Sequence, residues 1–288
     1  MDRMKRSYQV AGHCFTVEAD VGLLSRMSQY EPFICDKPES EIFSVTVLSS
    51  PTSISYTEEF HQTEGEQEII SGNDATGSPV LEFRLNSKSA GIVACENHYH
   101  SGRLYLSGDY HAFALNNALM ILYALNTACM QTALFHSSTV SYQGKGYMFL
   151  GKSGTGKSTH SQLWIKNIEG CELINDDNPV VRIHDGEARV YGSPWSGKTP
   201  CYRRVDFPIG GIVQLKQAPY NRIQPLKGVS AYKYLLTSIS GMRWNQQMAN
   251  GIHEMENLLT ATVPMWLLEC LPDAEAAKLC NKTITHNT

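Results

Sequence analysis

The residues best suited to chemistry lie in one stretch, 147–178, where a glycine-rich loop precedes two adjacent carboxylates. The loop matches the pattern G-x-x-x-x-G-K-[ST] without a gap and reads Gly151-Lys152-Ser153-Gly154-Thr155-Gly156-Lys157-Ser158. Glycines let backbone N–H groups approach phosphate oxygens, because no Cβ stands in the way. Those N–H groups and the N-terminus of a following helix attract anions. The loop therefore predicts a phosphate-binding site.

Two side chains of the loop have separate expected roles. Lys157 is expected to reach the β- and γ-phosphates, and Ser158 to offer its hydroxyl to Mg²⁺, which prefers oxygen ligands. The cofactors expected are thus ATP, or another nucleoside triphosphate, and Mg²⁺. The residues predicted to contact the nucleotide are Gly151, Ser153, Gly154, Thr155, Gly156, Lys157, Ser158, Thr159 and Lys198.

The two carboxylates, Asp176 and Asp177, follow the apolar pair Leu173 and Ile174. At the end of an apolar strand beside a phosphate loop, a carboxylate can bind a metal or accept the proton of an attacking hydroxyl. We expect both aspartates to share the metal site with Ser158, and one of them to be the base. The sequence leaves open which aspartate has which role.

The loop and the carboxylates belong to one predicted strand–helix–strand unit. A tight turn at 143–146 leads into the apolar strand 147–150, so the loop follows a hairpin rather than a parallel crossover. A short helix is predicted over 159–168, with Gly170 at its end, before the buried strand at 173–174. Later elements are predicted as a hairpin at 180–190, a strand at 209–215, helices at 229–239 and 243–259, a strand at 264–271 and a helix at 273–280.

An irregular segment, 191–199, separates the hairpin from the next strand. It is either a surface loop held by Trp195 or a substrate loop that brings Lys198 near the phosphates. Arg203 and Arg204 follow, either as phosphate ligands or as surface residues.

The N-terminal part is rich in predicted strands. Alternating apolar and polar residues mark strands at 8–10, 14–17, 42–48, 80–85, 91–95 and 103–106. The polar segments 49–63 and 71–78 are predicted loops, and helical spacing of apolar residues predicts a long buried helix over 113–134. We therefore divide the chain into a β-rich region, 1–110, and a phosphate-loop domain, 111–288.

The composition excludes several classes of protein. A net charge of −4 with no basic stripe argues against a nucleic-acid binder. The sequence contains no run of about 20 apolar residues, so no membrane span is predicted. The N-terminus has no secretory signal, and the eight cysteines are scattered without a C-x-x-C pair, which favours reduced thiols and a cytoplasmic location.

The order of motifs from His136 to Asp177 resembles the catalytic domain of HPr serine kinase/phosphorylases. The resemblance rests on the run His136-Ser137-Ser138-Thr139-Val140, the hairpin, the phosphate loop and the aspartate pair, and it covers 112–282. It implies an α/β (α+β) domain with a mixed sheet and the phosphoenolpyruvate carboxykinase-type P-loop fold. It also implies that Lys157 and Ser158 hold phosphate and Mg²⁺, that an aspartate of the pair is the base toward a substrate serine, that His136 belongs to the site, and that the chain forms homo-oligomers.

Two departures leave the acceptor open. The glycine-rich signature downstream of the aspartate pair is replaced by residues 192–198, and the β-rich region differs from the usual N-terminal domain of that family. The leading hypothesis is a kinase that phosphorylates a hydroxyl of a protein, a peptide or a small molecule. The alternatives are a nucleotide-binding regulatory protein without turnover and a small carboxykinase-like enzyme.

Overall fold

The computed structural model describes residues 2–36, 38, 40–48, 54–197 and 199–286. Within these ranges the chain is a mixed α/β protein with two sheets, each containing parallel and antiparallel pairs. It divides into two compact units, Met1–Asn126 and Thr127–Thr288. The long helix that we predicted to open the second domain belongs to the first unit, so the two boundaries differ by the length of that helix.

In its described residues the first unit forms an eight-stranded sheet in the order β1-β2-β3-β8-β7-β6-β5-β4. Strand β3 is parallel to β2 and β8, and the other neighbours are antiparallel. The elements are β1 (Arg3–Val10), β2 (His13–Asp20), α1 (Val21–Ser25), β3 (Glu41–Leu48), β4 (Tyr56–Glu64), β5 (Gln67–Asp74), β6 (Pro79–Leu85), β7 (Lys88–Glu96), β8 (Ser101–Leu106) and α2 (His111–Thr127).

The six strands predicted in this region are confirmed, but β4 was predicted as a loop over nearly its whole length and β5 over its second half, which is wrong. The reason is visible in β4, an edge strand that is exposed along nearly its whole length. A strand that buries neither face needs no alternation of apolar and polar residues, so the pattern that reveals other strands is missing.

Helix α2 and the turn that follows it, His111–Met130, are long and apolar enough to cross a membrane by length and composition. However, 67% of that window is buried inside the protein. The Tyr123 hydroxyl donates to the Val10 carbonyl at 3.1 Å, and Asn126 Nδ2 donates to the Tyr99 carbonyl at 3.0 Å. These contacts place α2 in the core of the first unit.

The second unit is built on a larger sheet in the order β12-β10-β11-β15-β14-β13-β9-β17, with β18 between β15 and β16. The described elements are β9 (Thr132–Phe135), β10 (Ser137–Tyr142), β11 (Lys145–Leu150), α3 (Lys157–Asn167), β12 (Glu172–Asp177), β13 (Val180–His184), β14 (Glu187–Tyr191), β15 (Asp206–Gln217), β16 (Arg222–Leu226), α4 (Val229–Leu236), β17 (Ile239–Ser240), α5 (Gln246–Thr262), β18 (Met265–Cys270) and α6 (Ala274–Thr285). Strands β16 and β17 were not predicted, and the predicted helix over 113–134 is wrong at its end, because α2 ends at Thr127 and β9 begins at Thr132.

Strand directions bring the ends of three strands to one edge of this sheet. Strands β11 and β12 both pair antiparallel with β10, which lies between them, so they run in the same direction. Strand β15 is parallel to β11 on its other side. The hairpin entry is confirmed, because Gln143 and Gly144 turn the chain with φ angles of 48° and 75°. The carboxyl ends of β11, β12 and β15 therefore meet where the glycine-rich loop begins.

Helix α3 anchors that edge through a buried cluster. Trp164 is fully buried against Phe149 and Tyr147 of β11, and α6 contributes Ala277 and Ile284 to the same core. Full burial of a large apolar side chain stabilises a fold by roughly 1.5–3 kcal/mol. This cluster holds the start of α3, and with it the end of the loop, against β11.

Candidate functional site

The glycine-rich loop is closed by hydrogen bonds within itself. The backbone N–H and Oγ1 of Thr155 donate to the Lys152 carbonyl at 3.1 and 2.7 Å. Gly154 and Gly156 have φ angles of 78° and 103°, which favour glycine. The Lys157 ammonium donates to the Gly151 carbonyl at 2.9 Å, so it lies back across the loop. This conformation agrees with an anion-binding turn at the N-terminus of a helix.

Ser158 and Asp176 are brought together as predicted. The Ser158 hydroxyl, in the first turn of α3, donates to Oδ1 of Asp176, near the end of β12, at 2.8 Å. Asp176 is only 4% exposed. A hydroxyl and a carboxylate at this distance can both face one hard cation.

The donors at this point suit Mg²⁺ better than a metal that needs a full protein shell. Within the described ranges no three or more His, Cys, Asp or Glu residues cluster in a way that could hold a metal ion. Mg²⁺ keeps several waters and is commonly bound through one or two carboxylates together with substrate phosphates. Ser158 and Asp176 therefore fit the part of such a site that a protein supplies.

Asp177 has different surroundings from its neighbour. Its side chain is 37% exposed, and Oδ1 lies 3.1 Å from Nδ1 of His136. Its other oxygen accepts a hydrogen bond from Asn178 Nδ2 at 3.1 Å. The backbone φ angle of Asp177 is 137°, a region that few residues other than glycine adopt. Such strain is kept only where the surroundings enforce it, and it concentrates at functional sites.

Strand β12 contains a bulge just before the aspartate pair. The pairing with β10 shifts at Ile174, which leaves one extra residue in β12 just before the pair. Bulges re-aim side chains and are common beside active sites. Past the bulge, Ser138 and Ser137 of β10 lie opposite Asp176 and Asp177, which puts His136 next to the pair.

Asn175 ties the strand end to the irregular loop that follows β14. Its Nδ2 lies 3.2 Å from Ser193 Oγ and 3.3 Å from the Trp195 carbonyl, while its Oδ1 accepts from the Asn178 N–H at 2.9 Å. The Ser193 hydroxyl donates to the Asn178 carbonyl at 2.6 Å. Sequence reasoning missed Asn175 and Ser193, since neither belongs to a motif.

The same loop covers the aspartate backbone. The Gly197 N–H donates to the Asp176 carbonyl at 2.6 Å, and Ser196 forms an isolated antiparallel bridge with Asp177. Trp195 is buried, as the prediction of a loop held by Trp195 requires. Lys198, which we predicted to reach the nucleotide, lies outside the described residues.

The glycine-rich loop is also bound from the side of β15. Gln217, the last residue of β15, donates from Nε2 to the Gly154 carbonyl at 3.2 Å. The Asp176–Ser158 bond and a 2.6 Å hydrogen bond between the hydroxyls of Ser138 in β10 and Ser161 in α3 tie the following helix to neighbouring strands. The sequence offered no signal for Gln217.

Arg203, a candidate phosphate ligand, lies at the other end of β12 from the aspartate pair. Arg203 pairs with Glu172 at 2.7 Å and donates to the Leu173 carbonyl at 2.8 Å, at the start of β12, which agrees with the alternative of a surface residue. The Cys201 thiol lies beside the next carbonyl, that of Ile174, at 3.3 Å. The two side chains cover the outer edge of β12.

His160 is part of the core. It is 3% exposed, accepts a hydrogen bond from Trp164 Nε1 at 3.1 Å, and packs edge-on against Phe149. Burial lowers the pKa of His160 to about 4, because the charged imidazolium loses its hydration. It therefore supports α3 as a neutral residue and takes no part in the site.

No protein-family model matches this chain, and a comparison with curated proteins found no match. The geometry of the site is therefore the basis for assigning its chemistry.

Proposed function

We propose that this chain is an ATP- and Mg²⁺-dependent kinase that transfers the γ-phosphoryl group to a hydroxyl, on a P-loop domain of the carboxykinase type similar to that of HPr kinases. The observation that carries the proposal is the Ser158–Asp176 hydrogen bond beside the glycine-rich loop. It joins the predicted phosphate loop to the predicted carboxylates, which is the arrangement that phosphoryl transfer requires. A cytoplasmic location is part of the proposal.

The two aspartates divide the work according to their surroundings. Asp176 is buried and bonded to Ser158, so we assign it, with Ser158, to hold Mg²⁺. Asp177 is more exposed and is oriented by His136 and Asn178, so we assign it as the base. When bound, Mg²⁺ would neutralise charge on the phosphates.

The transfer step moves one proton and one phosphoryl group. Asp177 accepts the proton of the acceptor hydroxyl, and the acceptor oxygen forms a bond to the γ-phosphorus. The bond from the γ-phosphorus to the bridging oxygen breaks, and its electron pair leaves with the nucleoside diphosphate. Lys157 stabilises charge on the β- and γ-phosphates, for which it must exchange its bond with the Gly151 carbonyl for phosphate oxygen.

Two variants with matched controls test the proposal. Binding of Mg·ATP is measured by calorimetry, and transfer of label from γ-³²P-ATP is measured to water, to small hydroxyl compounds and to proteins of a cell extract. Lys157→Ala should abolish transfer and weaken binding, whereas Lys166→Ala, at an exposed position of the same helix, should change neither. Asp177→Asn should keep binding and lose about 10²–10⁴-fold in transfer rate, the usual contribution of a general base.

The control for the aspartate variant is Asp185→Asn, in the exposed turn between β13 and β14. Wild-type transfer by the Lys157→Ala protein would refute the kinase. Tight Mg·ATP binding without transfer to any acceptor would favour the regulatory alternative, and nucleotide consumption that requires oxaloacetate would favour the carboxykinase-like one.

A further inference from the structure

A pocket of about 420 Å³ opens beside the glycine-rich loop, next to β15. One wall is formed by residues 152–155 of the loop, and another by residues 214–217 at the end of β15. Tyr234 of α4 and Leu267 of β18 complete the lining. The volume lies in the range of about 300–1,000 Å³ that small-molecule sites usually have.

The position of this pocket relative to the aspartates follows from the sheet order. Strand β12, with the aspartate pair, lies on one side of β11, and β15 lies on the other. The loop at the end of β11 thus has Asp176 toward one flank, through Ser158, and Gln217 toward the other. A triphosphate whose γ end faces the aspartates must direct its α end, and the nucleoside attached to it, toward β15.

The lining suits a nucleobase. Tyr234 and Leu267 offer an aromatic ring and an aliphatic side chain. Gln214 and Gln217 donate from Nε2 to the Leu215 and Gly154 carbonyls, and their amide oxygens can accept from the amino edge of a base. Of the two lysines in the lining, Lys216 is paired with Glu269 at 2.8 Å, and Lys152 lies in the wall formed by the phosphate loop.

We propose that this pocket binds the nucleoside of the triphosphate, with a purine base stacked on the ring of Tyr234. The proposal rests on the kinase function proposed above, since it takes the position of the γ-phosphate from that function. It adds the recognition of the base by Tyr234, which belongs to no sequence motif described above.

The experiment compares ligands with and without a base. Calorimetry with Mg²⁺ present measures ATP, GTP and inorganic tripolyphosphate against the wild type, Tyr234→Ala and Tyr234→Phe. Loss of a stacking ring should weaken ATP or GTP binding by about 10- to 100-fold. Tripolyphosphate binding should stay at the wild-type value in both variants, and Tyr234→Phe should bind ATP nearly as the wild type does. Tyr232→Ala, on the same helix but with its hydroxyl on His253, is the control for helix damage.

A measurement on the unmodified protein removes the dependence on folding of the variants. Saturation-transfer NMR should show strong saturation of the adenine protons of bound ATP, because a stacked base is in close contact with protein protons. Weak saturation confined to the ribose would overturn the pocket assignment, as would unchanged ATP affinity of Tyr234→Ala.

The ligands also separate this proposal from the function on which it rests. If Lys157→Ala loses ATP and tripolyphosphate while Tyr234→Ala loses neither, the pocket is wrong and the phosphate site stands. If the wild type binds neither ligand, both proposals fall.

Discussion

Asn175 is the residue whose replacement most directly tests how the aspartate turn is held. Its side chain is fully buried and reaches the loop 193–195 with Nδ2 and the Asn178 N–H with Oδ1. In Asn175→Ala these partners lose their hydrogen bonds at a fully buried position. A buried group left without its partner costs about 1–3 kcal/mol.

Counting the Asn178 N–H and one acceptor in the loop as lost, we expect Asn175→Ala to lower the free energy of unfolding by about 2–4 kcal/mol. For a domain of this size that corresponds to a fall in Tm of roughly 5–15 °C. The matched control is Asn167→Ala, whose side chain makes a bond to the Leu163 carbonyl one turn back in α3. That variant should lose less than about 1.5 kcal/mol.

Circular dichroism melts and urea titrations of the three proteins measure these differences. Asn175→Asp sharpens the comparison, because it keeps the shape but places an anion against carbonyl oxygens, so it should be at least as unstable as the alanine variant. Equal Tm values for the wild type and Asn175→Ala would refute the reasoning, since the turn would then be held by something other than these bonds.

Three further outcomes are expected. Gly197→Ala places a Cβ 2.9 Å from Asp177 Cβ, so the turn must shift, and phosphoryl transfer should fall by about 100-fold in a kinetic assay; an unchanged rate would contradict this. Gln217→Ala removes the bond to the Gly154 carbonyl and should weaken tripolyphosphate binding several-fold by calorimetry, and unaltered affinity would show that the loop needs no such tie. Because burial lowers the pKa of His160 to about 4 from its usual 6.5, the fold should be stabilised above pH 6.5 and lose about 3 kcal/mol as the pH falls to 4, and urea titrations of His160→Gln should lack this loss.

Local patterns made much of the second unit predictable. The hairpin turn at Gln143 and Gly144, the apolar strand into the loop, and the helix after it each depend on residues close in sequence. The meeting of Ser158 with Asp176 could be expected for the same reason, because α3, which carries Ser158, leads directly into β12, which carries Asp176.

Other features depend on distant parts of the chain. Asn175 has ordinary neighbours in sequence, and only the return of the chain at 193–195 makes it a structural residue. His160 closely follows the phosphate loop in sequence, but the rotation of α3 turns it toward Trp164. Strand β16 contains Pro225 and polar residues, and pairing with β18 fixes it as a strand against its own composition.

Side chains and a backbone N–H group cover the outer edge of β12. In the proposed kinase, they limit how an acceptor can approach. Arg203 and Cys201 occupy the carbonyls of Leu173 and Ile174, and Gly197 occupies that of Asp176. A polypeptide therefore cannot dock beside Asp177 by extending the sheet as an additional strand, which is a common way to present a peptide to an enzyme. In the proposed kinase, the acceptor would therefore insert its hydroxyl end-on, from a chain terminus, a protruding turn or a small molecule.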